Sequence, residues 1–328
     1  MSSSISILVA NHQLNKIGGS ETFTFAFIAA FKRKGFDVEY FTFAKGLISD
    51  KIEHDLGVEF MTKKRYDLIL ASHTTCIKKL FHRGFIIQIC HGIFPALEQP
   101  SAYADFHISI SSEVKNHLKS LNVDSIIINN GVDCERFFPK FPVKEELGSI
   151  LSLCQSSEAN NKIREICTKN NWEFFSINKF KQQIWDVENY INKADLVIGL
   201  GRSAYEAMAC GRPVLIYDHR PYTNSYSDGY LTNVQESLKF NCSGRRFKYF
   251  LEKDDLEAEI LKYRCRDGEE MRSFALENLN MDKKCLQYVD IFKKKLESVQ
   301  MQTLRNIKRK KFVELKLKEV LRRVRKAF

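Results

Sequence analysis

A glycine turn that leads into a helix bearing a single carboxylate is the most chemically suggestive feature of this sequence. Gly199 and Gly201 follow an apolar strand predicted over 196–198, and Ser203 is expected to cap the helix that comes next. The first free N–H groups of such a helix attract phosphate or sugar oxygens, and the Glu206 carboxylate accepts hydrogen bonds from neighbouring hydroxyls. The segment favours a ligand pocket, although any βαβ unit shares its periodicity.

A second glycine pair lies near the N-terminus, between an apolar strand predicted over 5–10 and a helix that runs to about Lys34. Gly18 and Gly19 lack Cβ atoms and so let backbone amides approach a diphosphate, and Ser20 is expected to cap the helix whose dipole faces that group. Alone, a Gly-Gly pair before a helix is as well explained by a plain turn. A further cap, Ser111 or Ser112, is expected to begin a helix that has Glu113 in its first turn.

Apolar strands alternate with amphipathic helices along the chain, and this order predicts an α/β fold of two Rossmann-like domains facing across a cleft. Ligands in such sheets bind beyond the carboxyl ends of the strands. We expect an N-terminal domain over 1–141, a second domain over 142–281, and C-terminal helices with a basic amphipathic tail over 282–328. The predicted strands lie at 5–10, 38–43, 68–71, 85–90, 106–110 and 126–128 in the first domain, and at 150–154, 172–177, 196–198 and 214–217 in the second.

Three segments resemble the GT-B-fold, group 1 (family 4) retaining glycosyltransferases. Residues 194–218 are similar to that family's donor-site signature in its compact GxGRS-type form, and the run Glu206-Ala-Met-Ala-Cys-Gly-Arg-Pro-Val is close to the pattern letter for letter. Residues 18–21 resemble its Gly-Gly-x-Glu element, and 126–139 resemble its NGVD-x-x-x-F-x-P hinge. The resemblance implies a metal-independent hexosyltransferase without a cofactor. Its donor would be a nucleotide diphosphate sugar, and its acceptor a glycan or lipid-linked sugar of cell-surface polysaccharide synthesis.

The resemblance also implies roles for single residues. Glu206 would bind the ribose of the nucleotide, and His91, after the strand at 85–90, would lie near the reacting sugar carbon, although a histidine there is also explained as a loop side chain. Lys162 and Arg202 would hold the diphosphate. The expected catalytic residues are His91 and Glu206, and the expected donor-binding residues are Gly18, Gly19, Ser20, Lys162, Arg202, Ser203, Ala204 and Glu206.

Two positions depart from the family pattern. Ile198 stands where the first acid of a Glu-x7-Glu pair belongs, and Gln155 stands near an expected arginine. Arg202 or Arg245 would then have to supply the contacts that the missing side chains make in the family. These departures motivate an alternative: a catalytically silent protein of the same fold that binds a nucleotide sugar or a partner transferase. A nucleotide-sugar epimerase would need its own acid and base pair, which the sequence does not reveal.

Cysteine usage and apolar patterning favour a cytoplasmic protein. The nine cysteines form no CxxC pair, and several lie inside predicted strands, which is typical of buried thiols in a reducing compartment. The N-terminus lacks the pattern of a signal peptide, and no segment reaches the roughly 20 apolar residues needed to span a bilayer. The chain contains no Asp-x-Asp, which favours a donor site without a metal.

The positive charge is concentrated at the C-terminus. Residues 303–328 carry eleven Lys or Arg and two Glu, a balance of +9 within a total of +11. Their apolar residues recur at helical spacing, so a helix here would suit an anionic membrane surface. A helix that packs on the protein, or a basic adaptor, would also explain the tail. Nucleic acid is a weaker expectation, because no base-reading pattern accompanies the charges. The apolar positions are Val313, Leu317, Val320, Leu321, Val324 and Phe328.

Overall fold

The computed structural model describes residues 5–247 and 252–297 together with residues 310, 313 and 314. The strands are β1 Ser6–Ala10, β2 Asp37–Phe41, β3 Leu68–Ala71, β4 Phe85–Cys90, β5 Phe106–Ser109, β6 Ile126–Ile127, β7 Ser149–Ser152, β8 Glu173–Ser176, β9 Leu196–Gly199, β10 Val214–Arg220 and β11 Ser225–Tyr230. The α-helices are α1 Gly19–Arg33, α2 Leu47–Leu56, α3 Thr74–Leu80, α4 Ser112–Ser120, α5 Ser157–Asn170, α6 Val187–Ile191, α7 Arg202–Ala209, α8 Val234–Leu238, α9 Lys253–Ile260, α10 Asp267–Phe274 and α11 Met281–Leu296.

The first sheet is parallel throughout and has the strand order β2-β1-β3-β4-β5-β6. Strands β1, β3 and β4 are apolar runs covered on both faces, as expected for a parallel sheet between helix layers. The strand order reverses between β1 and β3, so the loops after these strands open a crevice at the carboxyl edge of the sheet.

The second sheet has the order β11-β10-β9-β7-β8 and reverses between β7 and β9. Its strands are parallel except for β11, which pairs antiparallel with β10 at the edge. The sequence analysis missed β11 because Ser225–Tyr230 is largely polar and contains Gly229 at a φ of +79°, whereas the predicted strands are apolar runs. The two sheets confirm the expected α/β fold of two Rossmann-like domains.

The last described helix returns to the first sheet. Helix α11 buries Met281, Cys285 and Phe292 in the same apolar core as α1 and the N-terminal strands. At its start, Asp282 pairs with Arg33 of α1 at 2.6 Å, and the same guanidinium binds Asp133 between the two sheets at 3.0 Å. One arginine therefore links three segments where the chain passes between the domains.

None of the described helices is both long and apolar enough to cross a membrane. All nine cysteines are free thiols, and all but Cys265 are buried. The basic segment 303–328 lies outside the described residues, apart from Lys310, Val313 and Glu314.

Candidate functional site

A cavity of about 540 Å³ lies between the two sheets and is lined by residues of both domains. The loops that face it follow β1 and β4 in the first domain and β7, β8, β9 and β10 in the second, which are carboxyl ends of parallel strands. Seven of the predicted site residues line this cavity: Gly18, Gly19, Ser20, His91, Arg202, Ser203 and Glu206. The structure therefore brings together side chains that the sequence separates by almost two hundred positions.

The glycine pair after β1 forms the start of α1. The Gly18 carbonyl accepts the Thr22 N–H at 3.0 Å, so Gly18 is the N-cap residue and the helix begins at Gly19. The expectation that Ser20 caps this helix is therefore wrong, because Ser20 already lies in the first turn and makes no capping bond. A Cβ on Gly19 would meet nothing within 4 Å, which leaves the backbone open towards the cavity.

The turn before α7 has the same arrangement. Gly201 adopts a φ of +59°, donates its N–H to the Cys242 carbonyl at 2.7 Å, and occupies the N-cap position. Ser203 lies within the first turn rather than at the cap, so the expected capping role is wrong here too. Helix termini leave N–H groups without intrahelical partners, and this terminus lines the cavity.

Ala204 does not reach the cavity. Its side chain is fully buried in the core of the second domain, and its N–H donates to the Gly201 carbonyl at 3.1 Å. Ala204 was expected to bind the donor, but it does not line the cavity and its N–H is used within the turn.

Glu206 and Arg202 form a buried ion pair that lines the cavity. The Arg202 Nε atom lies 2.8 Å from Glu206 Oε1, and both side chains are largely buried. Burial raises the pKa of Glu206, although Arg202 and then Arg136 favour its charged form. The charge of Arg202 is therefore already partly compensated by Glu206 before any ligand binds.

His91 follows β4 and is a neutral imidazole. Burial, with smaller contributions from His73 and Arg202, lowers its pKa to about 3. Its Nε2 atom lies 3.0 Å from the Ser72 hydroxyl, and its ring meets Phe23 edge to face at 4.8 Å. His91 therefore offers a fixed hydrogen-bonding ring rather than a positive charge.

Lys162 lies on α5 outside the cavity lining, where its Nζ is 3.5 Å from Glu158 and 3.6 Å from Glu252. Of the residues that the structure describes, three cations that were not predicted line the cavity: Arg136, which pairs with Glu188 at 2.8 Å, and two from the second domain. The latter two are Lys179, after β8, and Arg220, at the end of β10. Burial and the nearby Arg220 lower the pKa of Lys179, so the two positive charges repel each other in a partly desolvated place. A bound anion would relieve this repulsion.

The carboxylate and the amide behind these cations fix their positions. Asp218 is fully buried, pairs with Arg220 Nε at 2.5 Å, and accepts the N–H groups of Gln155 and Ser156. The Gln155 side chain accepts the Lys179 N–H at 2.9 Å. Gln155, which replaces an expected arginine, thus holds the loop that carries Lys179. Lys179 and Arg220 follow β8 and β10, which are separated in the sheet by β7 and β9, so no short sequence signal could have identified the pair.

Arg245 lines the cavity but its charge is already neutralised. It forms two hydrogen bonds with the Glu113 carboxylate of the other domain, at 2.7 and 2.6 Å. The Glu113 N–H also donates to the Lys239 carbonyl, so this contact joins the domains on one side of the cleft. Ser111 caps α4 at this point by accepting the Val114 N–H at 3.3 Å, as predicted.

Ile198 is fully buried within β9 and pairs with Leu215 of β10. Counting eight residues back from Glu206 therefore lands inside a strand, because the loop before α7 is short. A carboxylate at this position would be in the core and could not reach a ligand, so the missing acid follows from the compact loop.

Among the described residues, no group of three or more His, Cys, Asp or Glu side chains is arranged to hold a metal ion. The described part of the chain does contain a cavity lined by cations, by the start of α7 and by the Glu206 carboxylate.

The sequence matches no family model and no curated protein significantly. Among solved structures, the chain is similar to HepE of Anabaena, in complex with UDP and glucose, with a TM-score of 0.58 and 14% identity over 88% of this chain and 100% of that one. The chain is also similar to MurG of Acinetobacter baumannii, with a TM-score of 0.49 and 10% identity over 89% of this chain and 99% of that one. For the T4 phage BGT in complex with UDP-glucose, the TM-score is 0.46 and the identity 13%, over 90% of this chain and 100% of that one. The likeness to HepE shows that the chain has the GT-B fold.

Proposed function

We propose that the cleft binds a nucleotide diphosphate sugar and transfers its sugar to a glycan or lipid-linked acceptor. The observation that carries this proposal is the convergence of Lys179, Arg220 and the start of α7 on one cavity with a buried carboxylate, Glu206. Cations and free amides suit a diphosphate, and a carboxylate suits a pair of ribose hydroxyls. HepE, whose structure contains UDP and glucose, supports the same ligand class.

In this arrangement Lys179 and Arg220 hold the diphosphate. When the bond to the sugar breaks, negative charge grows on the leaving phosphate, and preorganised cations stabilise that charge without reorganising. The Asp218 and Gln155 contacts keep both cations in place before the ligand arrives. The protein's main contribution is then positioning and phosphate stabilisation.

Glu206 and His91 complete the proposed site. Glu206 accepts hydrogen bonds from the ribose, and the nearby Arg202 favours its charged form against the effect of burial, which raises its pKa. His91, which is uncharged, hydrogen-bonds a sugar hydroxyl near the reacting carbon. Retention of configuration, a hexosyl donor, independence of metal ions and a role in cell-surface polysaccharide synthesis complete the proposal, and these four features are supported by the sequence resemblance.

The test is incubation of the purified protein with a panel of UDP-, GDP- and other nucleotide sugars, with and without a lipid-linked acceptor. We expect one nucleotide to be released faster when acceptor is present, an unchanged rate in EDTA, and a product whose anomeric configuration, read by NMR, matches the donor. The proposal is wrong if no nucleotide or nucleotide sugar binds in isothermal titration calorimetry.

A catalytically silent protein of the same fold is the second candidate. It is favoured by the ion pairs within the cleft, because Arg202, Arg220 and Arg245 are already paired with Glu206, Asp218 and Glu113 and are less available to a diphosphate. This candidate predicts nucleotide-sugar binding with no nucleotide release under any acceptor condition, so the same panel separates the two.

A further inference from the structure

One acidic side chain in the cleft has no role in the proposed donor site. Glu98 ends the short 3-10 helix Ala96–Glu98 that follows β4, and it lines the cavity from the first domain. Within residues 5–247 and 252–297, no hydrogen bond or ion pair to its carboxylate is found. A Cβ on Gly92 would lie 3.0 Å from Glu98 Oε2, so the carboxylate packs closely against the backbone at 92. The group is thus held in place without being neutralised.

Burial and a neighbouring carboxylate disfavour the charged form of Glu98. Burial, and then the nearby Glu21 carboxylate of α1, raise the pKa of Glu98 to about 7. The titratable neighbours on β4 and directly after it carry no charge near neutral pH: burial raises the pKa of Cys90 to about 12, and the pKa of His91 is lowered to about 3. Arg245, which contacts Phe94 of the same loop, is paired with Glu113.

The second domain contributes Lys179 and Arg220 to the lining, and the charge of Glu21 also favours the charged form of Lys179. The cavity therefore has basic groups suited to the diphosphate and an acidic group that would repel any second anion. A partly buried, unpaired carboxylate is stabilised by an O–H or N–H donor and destabilised by another anion.

We propose that Glu98 accepts a hydrogen bond from a hydroxyl of the acceptor, and that the acceptor unit at this end of the cleft is a neutral saccharide rather than an anionic one. This inference rests on the proposed transferase function and adds the chemical class of the acceptor. Glu98 is an acceptor-binding residue here, and Glu21 contributes through its charge.

Charge selectivity among simple saccharides tests the inference. The probes are the methyl glycosides of glucose, galactose and mannose against glucuronate and galacturonate, with dissociation constants measured by NMR without and with saturating UDP. At about pH 8.5 we expect the neutral probes to bind more tightly by on the order of tenfold, because Glu98 is then ionised. At about pH 5.5 Glu98 is protonated, the uronates stay ionised, and the preference shrinks.

Glu98→Gln keeps the shape of the side chain and removes its charge, so the preference for neutral probes should be weak at both pH values. Glu59→Gln, which removes an exposed carboxylate of the same domain outside the cavity, should behave like the parent. A preference that does not change with pH, that survives in Glu98→Gln, or that is lost in Glu59→Gln overturns the inference. So does failure of every saccharide to bind.

The UDP titration of the same samples addresses the donor separately. If UDP does not bind the parent protein, the transferase proposal fails. If UDP binds and the saccharide selectivity is absent, the donor proposal stands and the role of Glu98 fails.

Discussion

Arg202 and Glu206 form an ion pair inside the cleft, so changing either residue affects both folding and binding. Glu206→Gln should weaken nucleotide binding about tenfold or more, because a hydrogen bond to a charged group contributes about 1.5–3 kcal/mol. It should also lower the free energy of unfolding by about 3 kcal/mol, since Arg202 is left buried without its partner. Calorimetric titration with UDP and urea denaturation measure the two effects.

Glu145→Gln provides the matched control, because Glu145 is exposed and lies outside the cavity lining. It should change neither quantity. Equal UDP affinity in Glu206→Gln and the parent would show that this carboxylate does not contact the nucleotide.

Lys179 and Lys162 permit a direct choice between the cation that the structure places in the cleft and the one that the sequence suggested. Lys179→Met should weaken UDP binding about tenfold to a hundredfold while leaving uridine binding unchanged, because only UDP carries the diphosphate. Lys162→Met should affect neither ligand. If Lys162→Met weakens UDP binding and Lys179→Met does not, the diphosphate binds near Lys162 on α5 instead.

Single residues were predictable from the sequence where they belong to a contiguous motif. Gly18, Gly201 and Glu206 stand in glycine turns and helix starts whose local order dictates their place. Lys179 and Arg220 were not predictable in this way, because their proximity depends on the register of β8, β7, β9 and β10 rather than on any short spacing. Glu98 was missed because its loop has no pattern of its own.

At the scale of elements, helix starts are a place where sequence and structure differ. The sequence analysis assigned caps to serines after glycines, but the glycine carbonyl accepts the first intrahelical bond in both α1 and α7. Glycine reaches the required backbone angles, such as the φ of +59° at Gly201, without steric cost. The serine hydroxyls are thereby left for the cavity, which Ser20 and Ser203 line.

Ser111 is the cap that the sequence predicted and the structure contains. Ser111→Ala should lower the free energy of unfolding by about 1 kcal/mol, because the Val114 N–H loses its acceptor in a buried place. Ser20→Ala should cost clearly less, since no capping bond is lost. Urea denaturation of the two variants makes the comparison, and equal losses would contradict the assignment of the caps.

Strands were predictable where they are buried on both faces. The apolar runs at β3 and β4 were predicted with the residue bounds that the structure has. The edge strand β11 was not predicted because it pairs with a single strand and consists largely of polar residues, although most of them are buried.

For the whole molecule, charge is unevenly distributed. Residues 303–328 hold +9 of the net +11, and their proposed contact with an anionic membrane falls outside the described residues. Deletion after Met301 should reduce flotation with anionic liposomes, because each lost Lys or Arg near the surface contributes about 1 kcal/mol. Neutral liposomes are the control. Undiminished flotation of the shortened protein would exclude the tail as the membrane contact.

The return of α11 to the first sheet affects how the protein is made. Residues 281–292 complete a core whose other members lie before residue 129, so an emerging chain exposes part of α1 until nearly three hundred residues have been synthesised. The apolar clusters around the second sheet draw their buried members from residues 132–279 and are complete earlier. The core of the first sheet is therefore the last to be completed during synthesis. A fragment that ends at the hinge would lack residues 281–292, and it would need a peptide such as 281–296 to bury the same apolar surface.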